Sequence, residues 1–362
     1  MASAVAHLRA LATSGRPAGS ESESAARRYA NTELAALGFT VQEASFEYSA
    51  FPGRVATPAA GVALVVTILA SAACALFSAM PHVGVVVLLV GLAGTVVFAR
   101  RMMGNGVLDL PWMRERSVNL VATRGTSAPH VWLVAHLDSK SQPIASAARV
   151  VGIAILALAV MLAVVASGLT LTGSAPRTLW WVAVVAGAVG AMPVIASVVG
   201  NLSDGAVDNA SGVATVLGAA ALVRQDVSFG VLIPSAEELG LAGARAFVRG
   251  RPVGVALNCD GVDDEGALVI MYNGSVPTRV ISAIGLHDRM ASASRARRMP
   301  LGLLTDSTAF HDAGWETVTV SHGSLETLRR VHTPHDSLAR LRGTSIDGVA
   351  EILARAVEAL AQ

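Results

Sequence analysis

Four long stretches of the sequence contain no charged residue, and they constrain the fold more than any other feature of the chain. They cover residues 57–79, 83–99, 150–169 and 180–200. The hydrocarbon core of a bilayer is about 30 Å thick and needs about 20 apolar residues per helix, so each stretch is close to membrane-spanning length. The chain is 53% hydrophobic and only 15% charged, which is too apolar for an ordinary soluble enzyme. We therefore predict four transmembrane helices.

The four stretches form two pairs, and each pair predicts a helical hairpin. Met80-Pro81-His82 is a tight turn in the first pair, and Trp180 and Trp181 are expected to form an interfacial aromatic belt in the second. Gly, Ala and Ser are abundant in all four stretches, which allows helices to approach closely. Buried helices of a large soluble protein are the alternative, but two pairs of uncharged stretches are hard to explain in that way.

Basic residues near the helix ends predict the orientation in the membrane. Each hairpin returns the chain to the side it left, so the other parts of the chain should lie on one face. Near the helix ends on that face are Arg54, Arg100, Arg101, Arg114, Arg116, Lys140 and Arg149, whereas the opposite loops carry only Arg177. Because cytoplasmic loops carry an excess of Lys and Arg, we predict an integral membrane protein whose remaining domain faces the cytoplasm.

The rest of the chain has the pattern of an α/β domain. Apolar or alternating runs predict strands at residues 39–48, 117–123, 131–135, 229–234, 253–259, 267–272 and 316–321. The predicted fold class is α/β, with a mostly parallel twisted sheet flanked by helices and interrupted by the two transmembrane hairpins. The α/β domain would be formed by residues 1–53, 101–146 and 201–362, and the hairpins by residues 57–100 and 147–200.

Charge and cysteine content argue against two classes of protein. The formal net charge is +1, and no basic patch with interleaved aromatic residues occurs, so nucleic acid is not an expected partner. The two cysteines, Cys74 and Cys259, lie in a membrane-like stretch and in a predicted core strand, so a disulfide framework is not expected.

Acidic residues and histidines mark a candidate metal site. Asp208, the pair Glu237-Glu238, and Asp260 lie at the ends of apolar runs. In an open parallel sheet, groups just past the C-terminal ends of strands converge on one crevice, and carboxylates gathered there repel one another unless cations compensate them. Two histidine motifs read Ala-His136-Leu-Asp138-Ser and Val-His332-Thr-Pro-His335-Asp336. Imidazole and carboxylate together form a ligand set suited to zinc.

These motifs resemble those of the co-catalytic zinc aminopeptidases, a family related to glutamate carboxypeptidase and glutaminyl cyclase. The resemblance covers residues 1–50, 117–142 and 201–362. The motifs that carry it are Ala-His136-Leu-Asp138-Ser, Val-Asp208-Asn-Ala-Ser-Gly, Glu237-Glu238-x-Gly-Leu-x-Gly, Asn258-x-Asp260-Gly and His332-Thr-x-x-Asp336. One such motif alone would be weak, but five in the family's order make the resemblance specific.

The resemblance implies a metal centre with two zinc ions bridged by Asp208. His136 and Asp260 would complete the ligands of one ion, and Glu238 and His332 would complete those of the other. Two dications a few Å apart need a shared anion, which a bridging carboxylate supplies.

The same resemblance implies roles for the neighbouring residues. Glu237 would be the general base that takes a proton from the attacking water. Asp138 would orient His136. His335 fills a variable position of the last motif and Asp204 is more typical of a loop residue, so neither is among the expected ligands.

The function implied is that of a membrane-anchored zinc exopeptidase, an aminopeptidase that hydrolyses N-terminal peptide bonds of peptide substrates. His136 and Asp208 are 72 positions apart with a hairpin between them, so the crevice should lie near the lipid bilayer, and a hydrophobic or lipidated peptide becomes a candidate substrate. Two alternatives stay open. They are a glutaminyl cyclase-like acyl transferase with one zinc ion and a catalytically inactive membrane scaffold of the same fold.

Overall fold

The computed structural model describes residues 3–78, 80–104, 106–174, 176–285, 296–300 and 302–362. The chain divides into two compact units, each assembled from separate parts of the sequence. The α/β unit comprises Met1–Ala50, Val107–Ser141 and Gly200–Gln362, and the helical unit comprises Phe51–Gly106 and Gln142–Val199.

Eight strands of the described chain form one sheet in the α/β unit. In chain order they are β1 (Thr40–Ser49), β2 (Arg114–Arg124), β3 (Val131–Val134), β4 (Phe229–Ile233), β5 (Val255–Val262), β6 (Ala267–Tyr272), β7 (Ala296–Arg298) and β8 (Glu316–Gly323). The described helices are α1 (Ala4–Leu11), α2 (Glu21–Ala36), α3 (Thr57–Phe77), α4 (His82–Met102), α5 (Gly106–Asp109), α6 (Ser146–Leu171), α7 (Arg177–Ile195), α8 (Gly212–Leu222), α9 (Ala242–Val248), α10 (Thr278–Ile284), α11 (Asp306–Asp312), α12 (Leu325–Arg330) and α13 (Ile346–Leu360). Short π-helical turns precede α3 at Pro52–Ala56 and α8 at Ala206–Ser211.

The centre of the sheet is parallel and its margins are largely antiparallel. The strand order is β1-β2-β4-β3-β5-β8-β6-β7, in which β4, β3, β5 and β8 run parallel. The pairs β1–β2, β2–β4 and β6–β8 are antiparallel. The predicted α/β fold with a central sheet is confirmed. The additional strand β7 has three residues, too few to give an apolar pattern in the sequence.

The sheet carries an apolar core on each face, because successive side chains of a strand point to opposite sides. Val131 and Leu133 of β3 lie in the larger core, which also contains side chains of α1, α2, α8, α10 and α13. Trp132 and Val134 of the same strand lie in a second core with side chains of α9 and α11. Burial on both faces explains why β3 is a continuous apolar run rather than an alternating one.

The helical unit contains four helices that are long and apolar enough to cross a membrane. They span Pro52–Phe77, His82–Met102, Ser146–Leu171 and Arg177–Ile195. Small residues such as Ala159 and Ala183 are buried between them, whereas large apolar side chains such as Leu89 and Val185 are exposed. The outer surface of this unit is therefore strongly apolar.

Close approach of α6 and α7 depends on glycine. A Cβ added at Gly190 would lie 2.6 Å from the backbone nitrogen of Leu156 and 2.9 Å from the carbonyl oxygen of Gly152. Real Cβ atoms do not approach backbone this closely, so a larger residue would push the two helices apart.

The two tryptophans of α7, which the sequence predicts to lie in an interfacial belt, occupy different environments. Trp180 is fully buried and its indole nitrogen donates to Thr170 Oγ1 at 3.4 Å, whereas Trp181 is half-exposed. Consecutive side chains of an α-helix point about 100° apart, so one of the pair faces the neighbouring helices while the other faces outward.

Candidate metal centre

The candidate centre lies where three neighbouring parallel strands end. β4, β3 and β5 are adjacent in that order, so their carboxyl ends share one edge of the sheet. His136 and Asp138 follow β3, Glu237 and Glu238 follow β4, and Asp260 lies near the end of β5. The apolar residues of each strand are held in the two cores, which leaves the first polar residues after the strands at this edge.

Asp208 and His332 reach the same place from loops. Asp208 lies in the π-helical turn before α8. In that turn Ser211 Oγ donates to the carbonyl of Val207 at 2.7 Å and accepts from the N–H of Val262 in β5 at 2.8 Å. His332 lies just after α12 with a φ of 64°, in the left-handed region that non-glycine residues seldom adopt.

Two buried aspartates form hydrogen bonds between the loops that carry the candidate ligands. Asp336 accepts from the N–H groups of Asp208 and of the residue before it, at 3.1 and 2.6 Å. Asp138 accepts from the N–H groups of Glu237 and Glu238 at 3.0 and 3.1 Å, one on each carboxylate oxygen. Each carboxylate thus holds two consecutive backbone donors beside a candidate ligand.

The contact that orients His136 is not the one expected. Its Nδ1 lies 3.0 Å from the backbone carbonyl oxygen of Asp138 and 3.7 Å from the carboxylate. The carboxylate accepts from the N–H groups of Glu237 and Glu238, and the main chain of Asp138 makes the closer contact with the ring.

Six side chains form two groups, in each of which the candidate ligand atoms lie within 4.8 Å of one another. One group is His136, Glu237 and Asp260, and the other is Asp208, Glu238 and His332. Asp208 faces both groups, because its Oδ1 lies 3.1 Å from His136 Nε2 and its Oδ2 lies 2.8 Å from His332 Nε2. One oxygen directed toward each group is the arrangement that a bridging ligand needs.

Negative charge is concentrated in the centre. Burial raises the pKa of Glu237 well above its usual value, and Glu238, Asp306 and Asp260 add to that shift against the opposing effect of His136. Burial alone would lower the pKa of His136, but Glu237 and the hydrogen-bonded carboxylates raise it well above its usual value. Carboxylates in excess of imidazoles make a site that bound cations stabilise.

Two charged residues of the centre were not predicted from the sequence. Lys140 Nζ lies 2.5 Å from Glu238 Oε2. Asp306, the first residue of α11, is fully buried, and neither of its carboxylate oxygens has a hydrogen-bond partner among the described residues. Burial raises the pKa of Asp306 to about 8. Lys140 follows the His136 motif closely in sequence, and that position could have indicated that it belongs to the site. The residues around Asp306 form no pattern that would have indicated the same.

The competing residues belong to neither group of candidate ligands. His335 is exposed, and its backbone N–H donates to Thr333 Oγ1 at 3.2 Å. Asp204 contributes its backbone carbonyl, which accepts from Arg16 Nη1 at 2.7 Å. The structure therefore brings His332 and Asp208, rather than these two neighbours, to the other candidate ligands.

Three solved structures share this fold. An aminopeptidase from Aneurinibacillus sp. strain AM-1 has a TM-score of 0.57 and 16% identity, covering 99% of this chain and 93% of that one. BSAP, a zinc aminopeptidase from Bacillus subtilis, has a TM-score of 0.54 and 14% identity, covering 98% and 93%. A glutaminyl cyclase from Bacteroides thetaiotaomicron has a TM-score of 0.57 and 14% identity, covering 98% and 96%.

The fold is therefore the mixed α/β fold that zinc aminopeptidases and glutaminyl cyclases share. The sequence profile of peptidase family M28 matches residues 119–357, which is more than half of the chain. The chain belongs to peptidase family M28. No curated protein matches the sequence.

Proposed function

We propose that the protein is a membrane-anchored, zinc-dependent aminopeptidase that hydrolyses N-terminal peptide bonds. The observation that carries the proposal is the Asp208 carboxylate, which directs one oxygen toward His136 and the other toward His332. Membership of a peptidase family supports hydrolysis of peptide substrates. The shared fold with zinc aminopeptidases supports action at the N-terminus of the peptide.

The chemistry of the donor groups fits zinc, because imidazole nitrogens and carboxylate oxygens are common zinc ligands and the buried carboxylates need compensating cations. His136 and Asp260 would hold one ion, Glu238 and His332 the other, and Asp208 would bridge the two. Bound zinc supplies a Lewis acid for the oxygen of the scissile carbonyl.

Glu237 would move the proton during hydrolysis. Its carboxylate takes a proton from the attacking water and returns it to the nitrogen of the leaving amine, so that the C–N bond breaks without release of an amide anion. The backbone N–H of Glu237 donates to the Asp138 carboxylate at 3.0 Å, and this hydrogen bond fixes the position of the main chain from which the Glu237 side chain extends.

The four long helices support anchoring in a membrane. Their outward-facing large side chains are apolar, and a surface of this kind is stable only if lipid or protein covers it. The basic residues near the helix ends are concentrated on the side of the chain that continues into the α/β segments. The positive-inside bias therefore supports a cytoplasmic α/β unit.

The direct test uses the full-length protein in detergent. We expect release of the N-terminal residue from a chromogenic amino-acid amide, loss of this activity with a chelator and recovery with zinc. Glu237→Gln should lower kcat by about 10²–10⁴-fold while zinc stays bound, because it removes the base and leaves the proposed ligands in place. Glu265→Gln, at an exposed glutamate of the same unit, is the matched control and should leave kcat unchanged.

Two results would contradict this reading. Unchanged turnover in Glu237→Gln would refute the assignment of the base. A wild-type protein that binds zinc but releases no amino acid from any peptide would support the inactive scaffold instead.

Glutaminyl cyclase-like acyl transfer is the second candidate. Lys140 Nζ lies 2.5 Å from Glu238 Oε2, so one ligand group already contains a positive charge, which favours loading of a single dication. A cyclase would release ammonia from a peptide with N-terminal glutamine and would free no amino acid. It would also bind about one zinc ion per chain, whereas the aminopeptidase should bind about two.

A further inference from the structure

Arg16 is buried beneath the candidate metal centre, and only 1% of it is exposed. Its guanidinium donates to five backbone carbonyls, which come from three separate parts of the chain. Nε donates to Leu137 at 2.9 Å, Nη1 to Leu11 at 2.9 Å, to Ser14 at 3.4 Å and to Asp204 at 2.7 Å, and Nη2 to Gly205 at 2.9 Å. The planar fork of an arginine can reach several acceptors at fixed angles, which a single ammonium cannot.

Three of these carbonyls, those of Leu137, Asp204 and Gly205, belong to the loops that carry two candidate ligands. Leu137 directly follows His136, and Gly205 lies three residues before Asp208. The main chain of Arg16 is also paired with the first loop, because its N–H donates to Ser139 Oγ at 2.8 Å and its carbonyl accepts from the N–H of Ser139 at 3.0 Å. Arg16 therefore connects both ligand loops to the N-terminal segment.

The close packing at Gly205 prevents the His136 loop and the Asp208 loop from moving independently. Gly205 has a φ of 58°, and a Cβ added there would lie 2.5 Å from Ser139 Cβ, 2.5 Å from the Asp208 carbonyl oxygen and 3.1 Å from Arg16 Nη2. The two loops and the guanidinium meet at a point where only glycine fits, so a shift of one loop must move the other.

Carboxylates in and around the centre favour the charged form of Arg16. In the described part of the chain, no carboxylate forms an ion pair with its guanidinium. Burial lowers the pKa of Arg16, while the carboxylates of Asp336, Asp138, Asp208 and Glu23 raise it. A buried cation without a direct ionic partner is costly unless its hydrogen bonds are satisfied, and Arg16 satisfies them with carbonyls.

We propose that Arg16 is a positioning residue, which spans the loops of His136 and Asp208 and thereby fixes the spacing of these two ligands. The inference rests on the metal centre proposed above. It assigns a role in that centre to the N-terminal segment, which lies outside the part of the chain that matches the family profile.

The test compares two buried arginines. Arg124 is 6% exposed and donates to the carbonyls of Ala220, Val223 and Arg224 at the end of α8, none of which carries a candidate ligand. Arg16→Met and Arg124→Met each remove a buried guanidinium bonded to carbonyls, so both should lower thermal stability. Only the change at Arg16 should affect metal binding.

The readout is zinc affinity, measured on the full-length protein in detergent by competition with a chromophoric chelator. We expect Arg16→Met to weaken zinc binding by about 10–100-fold, the usual cost of losing a group that orients ligands. Arg124→Met should bind zinc as tightly as the wild type. In the peptidase assay, Arg16→Met should lower kcat and leave KM unchanged, because the substrate does not touch this residue.

Arg16→Lys keeps the positive charge, but its single nitrogen cannot reach carbonyls in three segments of the chain. We therefore expect this variant to weaken zinc binding as well. It provides the test of the proposal if Arg16→Met does not fold. Wild-type zinc affinity in Arg16→Lys would overturn the proposal, as would equal losses in Arg16→Met and Arg124→Met. A wild-type protein that binds no zinc would instead overturn the metal centre of the proposed function.

Discussion

The two units of the chain distribute charge in opposite ways. All 26 acidic residues of the sequence lie in the α/β unit, whereas the helical unit carries five arginines and no Asp, Glu or Lys. The α/β unit buries several charged groups, among them Arg16, Glu23, Asp138 and Asp336. The helical unit buries no charged side chain among its described residues. In hydrocarbon an uncompensated charge has no favourable position, so a unit that lipid surrounds is expected to carry few charges and to keep them out of its interior.

The interiors differ as well. The α/β unit packs large apolar side chains against both faces of a sheet, so removal of apolar surface from water holds it together. The helical unit exposes many large apolar side chains and packs its helices through close contact between small residues such as Gly152 and Gly190. The comparison predicts that metal binding and pH change the stability of the α/β unit, whereas substitutions that enlarge small residues at helix contacts change the stability of the helical unit.

Metal removal should give the largest difference between the units. If zinc binds only the folded α/β unit, then zinc at 1,000 times its Kd contributes about 4 kcal/mol to the free energy of unfolding of that unit. A chelator should therefore accelerate hydrogen exchange in peptides from β3, β4 and β5 and leave α6 and α7 unchanged. Zinc should restore the protection, and magnesium should not, because magnesium binds histidine weakly. Faster exchange throughout both units would contradict the separation.

A buried carboxyl should make the α/β unit sensitive to pH. Burial, followed by the nearby charge of Asp138, raises the pKa of Glu23 to about 7, against hydrogen bonds from Ser235 and Gly19 and the charge of Arg27. The folded protein therefore keeps a proton that the unfolded chain loses near its ordinary pKa of 4.5. Stability should be fully present below pH 4.5 and should fall as the pH rises toward 7, by at most about 3 kcal/mol.

Glu23→Gln should remove the part of this dependence that comes from Glu23, because the amide stays neutral throughout, and should leave the part that comes from other carboxyls with a raised pKa, such as Asp306. The measurement is the free energy of unfolding of the α/β unit at pH 5 and at pH 8, in the wild type and in the variant. Glu21→Gln, at an exposed position in the same turn of α2, is the control and should leave the wild-type dependence intact. An identical pH profile for Glu23→Gln and the wild type would remove this carboxyl as the cause.

Enlarging a glycine at a helix contact should give the smallest change in stability, and this change should be confined to the helical unit. Gly190→Leu should destabilise that unit by about 1–3 kcal/mol, since its side chain would collide with the backbone of Leu156 and Gly152. The control is Gly168→Leu on α6, where an added Cβ meets no described atom within 4 Å. Unfolding in mixed micelles measures the difference, and zinc affinity should be unchanged in both variants. Equal destabilisation by the two substitutions would mean that close helix approach is not what holds this unit together.

Features that depend on local pattern could be predicted from the sequence. The strand at 229–234 corresponds to Phe229–Ile233, and the acidic residues beyond it lie at the edge of the sheet because a buried apolar strand must end where the polar residues begin. The motifs from His136 to His332 indicated candidate ligands whose side chains lie close together in the structure.

Features that depend on tertiary contact could not be predicted. Arg16 is followed by proline in a polar stretch, and nothing in that stretch indicates that its side chain is buried against loops more than 100 residues away. The burial of Trp180 and the contact of the Asp138 carbonyl with His136 likewise depend on which neighbours are near in space. Periodicity describes how one element faces its surroundings, but it does not identify the partner.

The strand order has a consequence for synthesis of the chain on the ribosome. β2 and β3 follow each other in sequence, yet β4 lies between them in the sheet. The position between them therefore stays unfilled until residue 233 has been translated, after both hairpins have emerged. A nascent chain must keep β2 and β3 apart and unpaired during that interval, so the α/β unit can complete its sheet only after the helical segments have been made.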